Sequence, residues 1–440
     1  MTEAVVEITG LAYGGKGIGR IDGKVVFVPL TAPGDTARVS VTAEKKGVTP
    51  LRGFSEAVLL ELLTASPVRK DPPCPVYGIC GGCQLQHIKY CEQLSWKEKI
   101  FEETVKRIGK IEAITFEPPA GSPEEFNYRA KARFQVKGKS WGFFEHASSR
   151  IVDVDQCPLA DPLVNAAYKR IKTFFLKEAG VPPALCSVEA GLSRRDGKVV
   201  ASLSISRACG FDWERVLKAV ELVKGIEVWL RPPGGVRGGA RGGKRIVSLG
   251  DTRLLHDSCG VAYSSGISVF SQANQSLNPA LVRKALEYAG LHGGERVVDL
   301  FAGAGNITLP AARLAKEVVG VEAGKEAVKN GADNALRSSI ANARFMRADA
   351  LEWIKSNMKR IEKHPADVVI LDPPRGGDMD VSTALAQLKP KKLVYVSCNP
   401  PTLARDLAVF AEHGYRNLRA CLFDMFPQTY HMECVVVMER

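Results

Sequence analysis

From Phe270 onward, short apolar runs alternate with helix-length segments, and this alternation restricts the fold more than any other feature. The runs are "RVVDLFA", "EVVGVEA", "ARFMRAD", "ADVVILD" and "KLVYVSC". Buried strands alternating with helices require a parallel sheet covered on both faces, wound with right-handed crossovers. Two later runs, "NLRACLFDMF" and "HMECVVVMER", are joined by a short connection and read as a hairpin-like pair. An antiparallel final strand suits so short a link.

The whole chain of 440 residues is too long for one core, and roughly 150 residues per domain gives about three units. Residues 1–63 read as a small β unit, in which "AVVEITGL", "GKVVFVPL" and "DTARVSVTAEK" alternate between Gly and Pro-Gly turns. Its turn "AYGGKGIGRIDGK" suits either close backbone approach to a phosphate or a plain surface hairpin. Residues 64–262 mix strands and helices as an α+β middle domain, and residues 263–440 carry the parallel sheet. Inside the middle domain, "RPPGGVRGGARGGKR" from Arg231 to Arg245 cannot bury a core and reads as a mobile loop, either gripping RNA phosphates or forming a hairpin tip.

Net charge is +12, which favours a polyanionic partner, because Lys and Arg placed against phosphates release counterions. No apolar run is long enough for a membrane-spanning helix, and the N-terminus lacks a secretory pattern, so a cytoplasmic protein is expected. No obligate protein partner is evident, and a monomer is expected. Eleven cysteines in a reducing compartment point to metal ligation or catalysis for any that cluster.

"VVDLFAGAGNITL" is a strand ending in a Gly-rich turn that opens a helix. Gly303 and Gly305 let backbone approach a ligand at the carboxyl edge of the sheet. A dinucleotide fingerprint requires a third Gly where Thr308 stands, so a nucleoside without a pyrophosphate is favoured. Glu322 closes the second strand, placed for ribose hydroxyls, and Asp349 closes the third, placed for an adenine amino group.

The remaining strand ends carry reactive groups. "LDPPRGG" brings Asp372 to the tip of the fourth strand, "VYVSCNPPTLARD" brings Cys398 to the tip of the fifth, and "FPQTYHMECVV" starts the last strand with Glu433. Cys398 precedes a helix, whose positive N-terminal end is expected to lower the thiol pKa. Near the middle domain, Cys74, Cys80 and Cys83 form a C-x5-C-x2-C run with glycines between them, and Cys157 is a plausible fourth ligand. Four thiolates suit either zinc or an iron–sulfur cluster. Cys91 falls in the following helix and reads as a packing residue.

These motifs, "LDPPRxG", "VSCNPxTLARD" and "FPxTxHxE", resemble the RNA uracil-5 methyltransferase family, specifically its iron–sulfur members with an N-terminal TRAM (OB-like) domain. The resemblance spans essentially the whole chain, apart from Met432 where Val is usual. It implies an OB-like β-barrel, an α+β iron–sulfur domain and a Rossmann-like class I methyltransferase domain. It also implies Cys398 as nucleophile and Glu433 as base. Gln272, Phe301, Asn306, Glu322, Asp349 and Asp372 would line the S-adenosylmethionine and uracil sites. The resemblance further implies a 4Fe–4S cluster on Cys74, Cys80, Cys83 and Cys157. The chemistry explains such a set: a thiolate adding to carbon 6 turns carbon 5 into a nucleophile, and a base must later remove its proton.

Three rivals fit less well. Cytosine-5 enzymes usually carry Pro or Thr before the cysteine, where this chain has Ser397. Amino-group methyltransferases carry an aromatic residue where Arg375 stands, and they need no nucleophilic thiol. A silent RNA-binding or iron–sulfur module has no use for the Cys, Asp and Glu set. Ribosomal RNA is the favoured substrate, with the T-loop of transfer RNA as the alternative, and a splayed-out base is the expected substrate form.

Overall fold

The computed structural model of the chain describes residues 2–45, 53–232, 243–363 and 366–440. Strands β1 (Thr2–Leu11), β2 (Gly17–Ile21), β3 (Lys24–Val28), β4 (Thr36–Lys45) and β5 (Phe54–Thr64) close into a barrel in the order β1-β2-β3-β5-β4. Period-two alternation builds it: Val6 and Ile8 of β1 point inward onto Val26, Val28 and Val39, while Val5 and Glu7 face out. The barrel is tied to the next segment by Asp35, a buried carboxylate held by two Arg69 nitrogens at 2.8 and 2.7 Å. Backbone N–H groups of Ala32 and Ser66 donate to the same carboxylate at 2.6 and 2.9 Å.

Helix α1 (Tyr90–Gly109) and strand β6 (Ile114–Ala120) follow. The central sheet then runs through β7 (Lys131–Lys137), β8 (Ser140–Phe144), β9 (Ile151–Asp153), β10 (Leu185–Ser193), β11 (Lys198–Ile205), β12 (Val223–Leu230) and β13 (Lys244–Gly250). Their order is β13-β12-β11-β10-β7-β8-β9. Helices α2 (Pro162–Thr173) and α3 (Glu214–Ala219) cover this sheet, with Tyr168 of α2 stacked on Phe134 at 3.5 Å between ring centroids. β12 and β13 pair antiparallel on either side of the Arg/Gly-rich segment, whose residues 233–242 lie outside the described residues. A hairpin of β14 (Arg253–Ser258) and β15 (Val261–Gly266) leads into the last unit.

That unit contains α4 (Asn278–Ala289), β16 (Arg296–Leu300), α5 (Thr308–Ala312), β17 (Glu317–Glu322), α6 (Lys325–Arg337), β18 (Ala343–Arg347) and α7 (Ala350–Lys363). It continues with β19 (Val368–Leu371), α8 (Met379–Leu388), β20 (Lys392–Ser397), α9 (Pro400–Glu412), β21 (Arg416–Phe423) and β22 (Glu433–Glu439). The sheet order is β18-β17-β16-β19-β20-β22-β21-β6. The first five of these strands are parallel, and β22 inserts antiparallel between β20 and β21, in line with the hairpin-like reading of the tail. Because β16 pairs with both β17 and β19, the chain reverses its winding there, which opens a crevice at the strand carboxyl ends.

One element departs from the sequence reading. The eight-stranded sheet is completed by β6, which lies far outside residues 263–440 and pairs parallel with β21. Its sequence "ITFEPPA" contains two prolines, which only an edge strand tolerates because they donate no ladder hydrogen bond. Helix α1 goes with it: Phe101 and Val105 share a buried cluster with Leu403 and Leu407 of α9. Cys91, expected to pack, is exposed on α1. Among the described residues, no helix is long and apolar enough to cross a membrane.

Candidate active site

The turn after β16 builds the cofactor cleft. Phe301, Gly303 and Gly305 all take positive φ, at 65°, 56° and 99°. At Gly305 a side chain is excluded sterically as well, since a Cβ would lie 2.8 Å from Leu309. A Cβ on Gly303 would meet no protein atom within 4 Å. Phe301 accepts a conformation unusual for a bulky residue, a mark of a turn held for a purpose.

Tyr263, Phe270, Gln272, Asp299, Phe301, Gly303, Asn306 and Asp372 line the cleft. Gln272 is buried in the cleft wall with its side-chain oxygen free of any hydrogen-bond partner, which is unusual for a buried acceptor. Asn306 has a more structural part than expected: its amide exchanges hydrogen bonds with Asn278 at 2.9 and 3.0 Å and accepts one from Tyr263 at 3.2 Å. Glu322 accepts backbone N–H bonds from Gly303 at 3.1 Å and Gly324 at 2.6 Å, so it braces the turn from the neighbouring strand. Asp349 is exposed and caps α7, accepting from the N–H groups of Leu351 and Glu352 at 3.0 and 3.2 Å.

Asp299 escaped the sequence reading. It is buried in β16, accepts a 2.5 Å bond from Thr308, and is pushed up to about 7 by burial, with Glu322 adding to the shift. An acid inside an otherwise apolar strand, two residues before the turn, was the available signal.

At the far side of the crevice, Cys398, Glu433 and Asp372 come together. Ser397 of β20 and Cys434 of β22 are register partners, so Cys398 and Glu433 stand opposite each other just beyond the ladder. Glu433 is buried with one carboxyl oxygen unpartnered, and both burial and the Asp372 charge hold its pKa well above the usual range. Asp372 is also raised, by burial and by Asp299. Two such acids side by side favour protonation of at least one.

Against the lowering expected from the following helix, the surroundings of Cys398 in the free protein act to raise its thiol pKa. Burial and the neighbouring Glu433 push its thiol up to about 12, and the opposing influence of Arg375 does not offset them. A low-dielectric site disfavours the thiolate.

The four clustered cysteines share one cavity without converging on a point. Cys74, Cys80, Cys83 and Cys157 line one cavity of about 250 Å³ together with Val76, Phe143, Leu159 and Arg129. Among the described residues, no three His, Cys, Asp or Glu side chains converge closely enough to hold a single metal ion. The segment after Cys83 is bonded to the loop that precedes Glu433: Gln84 and Leu85 N–H groups donate to the Gln428 carbonyl at 3.1 and 3.0 Å.

Comparison with known proteins agrees with this geometry. The family described as tRNA (Uracil-5-)-methyltransferase matches residues 89–440, and the TRAM domain matches residues 2–53. The 23S rRNA (uracil(1939)-C(5))-methyltransferase RlmD of Alkalilimnicola ehrlichii is 33% identical, over 99% of this chain and 96% of its own. An uncharacterized RNA methyltransferase of Halalkalibacterium halodurans is 35% identical, over 99% of this chain and 97% of its own. The crystal structure of Pyrococcus abyssi tRNA (uracil-54, C5)-methyltransferase with S-adenosyl-L-homocysteine superimposes with a TM-score of 0.76 at 25% identity, covering 99% of this chain and 100% of that one. The chain belongs to the tRNA (uracil-5-)-methyltransferase family and is an S-adenosylmethionine-dependent RNA uracil-5 methyltransferase with an N-terminal TRAM domain.

Proposed function

We propose that Cys398 is the nucleophile of this reaction, Glu433 its base, and 23S ribosomal RNA its substrate. The register of β20 against β22 carries the assignment, because it brings a thiol and a buried carboxyl to one sheet edge beside the cofactor cleft. When bound, S-adenosylmethionine supplies an electrophilic methyl group. Gln272, Phe301, Glu322, Asp349 and Asp372 hold it, and the unpartnered Gln272 oxygen fits a ligand donor.

Cys398 gives its proton to solvent and the thiolate bonds to carbon 6 of a flipped uracil, which lets carbon 5 gain the methyl group. Glu433 in its ionised form, with Asp372 beside it, then takes the proton from carbon 5. That electron pair re-forms the double bond and expels the Cys398 thiolate, to which Glu433 returns the proton. Burial and Asp372 make Glu433 a stronger base than an exposed carboxylate, which suits that removal. The ribosomal substrate is supported by full-length relatives named for it, and the transfer RNA alternative by the Pyrococcus structure. The basic chain and its barrel supply the RNA grip.

A 4Fe–4S cluster on Cys74, Cys80, Cys83 and Cys157 completes the reading. A single zinc ion would draw four sulfurs to about 2.3 Å from one point, whereas these thiols ring a wider, largely apolar cavity. Arg129, buried with its Nε unpartnered, offers positive charge to an anionic cluster. The bonds from Gln84 and Leu85 to Gln428 support a structural role, bracing the catalytic tail.

The test is RNA carrying 5-fluorouridine, incubated with labelled cofactor. Fluorine cannot leave as a proton, so thiol addition followed by methyl transfer yields a trapped complex. The wild type is expected to trap and Cys398→Ala to bind cofactor without trapping; an adduct of undiminished yield in the variant rejects the nucleophile. Mapping lost 5-methyluridine in cells without this protein identifies the RNA.

A further inference from the structure

Tyr13 lies in the turn between β1 and β2 of the barrel, yet it packs against the buried cluster of the methyltransferase sheet and not the barrel's own core. Its ring meets Tyr430 edge-on at 5.3 Å between centroids, and Tyr430 in turn lies 4.1 Å from the ring of His431. Its hydroxyl donates to the Asn399 side-chain oxygen at 3.3 Å. Asn399 is the residue after Cys398, and its amide nitrogen donates to the Arg375 carbonyl at 2.8 Å.

Asn399 stands where a helix N-cap belongs, but its side chain makes no capping bond to α9. An asparagine at that position ordinarily accepts from the first helical turn. Here its oxygen takes the Tyr13 hydroxyl and its nitrogen takes the loop after Asp372, so the amide is clamped between two other elements. Tyr13 therefore touches, through one ring and one hydroxyl, both segments that carry Cys398 and Glu433.

We propose that Tyr13 is a positioning residue: the barrel sets the orientation of the nucleophile turn by holding Asn399 with the Tyr13 hydroxyl and the tail loop with its ring. The proposal rests on Cys398 being the nucleophile. It makes the barrel part of the catalytic constellation as well as a grip on RNA. Loss of one hydrogen bond at a site requiring close alignment lowers the chemical rate, and leaves the phosphate contacts that dominate RNA affinity untouched.

The experiment is single-turnover trapping on 5-fluorouridine RNA with wild type, Tyr13→Phe, Tyr13→Ala, Asn399→Ala and the Tyr13→Phe/Asn399→Ala double variant, RNA affinity being measured in parallel. Tyr13→Phe is expected to trap about three- to tenfold more slowly, the worth of one hydrogen bond, with RNA affinity within about twofold and an unchanged salt slope. Tyr13→Ala is expected to be slower still. In the double variant the two losses should not add, because both remove the same contact. A Phe variant at the wild-type rate, a defect confined to RNA affinity, or additive losses would each overturn the role of Tyr13. If the wild type itself traps no RNA, the nucleophile assignment fails and this proposal falls with it.

Discussion

Cys398 and Glu433 face each other across the open end of the β20–β22 pair, one residue beyond the Ser397–Cys434 register partners. An antiparallel final strand is what makes this possible: its first residue lies at the same edge as the last residue of its neighbour. A parallel final strand would have put Glu433 at the opposite end of the sheet. Burial and then Glu433 raise the Cys398 thiol, while burial and then Asp372 raise Glu433.

The raised thiol predicts a pH profile for the RNA-free protein. With a value near 12, the thiolate is scarce at neutral pH, and alkylation of Cys398 by iodoacetamide should climb about tenfold per pH unit between neutral and strongly alkaline solution. Peptide mass spectrometry reads the modified fraction. A plateau near pH 8 would mean the thiol is already activated before RNA binds.

Glu433→Gln should halt the reaction after methyl transfer. Removal of a positioned base costs about 10²–10⁴-fold in rate, so ordinary uridine RNA should accumulate as a methylated, protein-linked species. Denaturing gels and mass spectrometry detect it. Normal turnover in this variant would assign the base elsewhere.

The cysteine cavity predicts iron and sulfide in protein purified without oxygen, with visible absorbance lost in Cys83→Ser and Cys157→Ser. Those variants should also trap 5-fluorouridine RNA more slowly, because Gln84 and Leu85 hold the Gln428 carbonyl in the loop before Glu433. One zinc per chain and no iron in the wild type would overturn the cluster.

Asp35 and Arg69 predict how acid loosens the barrel. Burial by itself would raise the Asp35 carboxyl, but Arg69 and two backbone N–H groups hold it below the ordinary range. A depressed folded-state pKa means that its stabilisation is complete above the ordinary carboxylate value near 4, and is lost as pH falls through the lower folded value. Asp35→Ala leaves Arg69 without its carboxylate and should cost about 3–5 kcal/mol, read as a lower unfolding midpoint in urea at pH 7. An unchanged midpoint would show that the pair does not secure the barrel.

Much of the site was legible because its residues lie at strand ends, and a strand end is a local pattern. Cys398, Asp372 and Glu433 each follow or begin an apolar run, and the Gly303–Gly305 turn announces itself by composition. Strand β6 was hidden by its prolines, whereas Asp299 carried a signal, an acid among apolar strand residues, that was passed over. Asn306 and Asp349 were expected to line the cofactor site, and their side chains hydrogen-bond to Asn278 and to the first turn of α7.

The amino-acid pattern alone determined the alternation of strand and helix, the Gly-rich turn after β16 and the presence of Asp372, Cys398 and Glu433 at strand ends. These depend on side-chain periodicity and backbone preference within a few neighbouring residues. Tertiary structure alone decided which groups meet and with what charge: the pairing of β20 with β22, the four-cysteine cavity, the reach of Tyr13 to Asn399, and the protonated state of the Cys398 thiol. Those properties depend on burial and on partners hundreds of residues away, and no local pattern encodes the electric field that distant residues create.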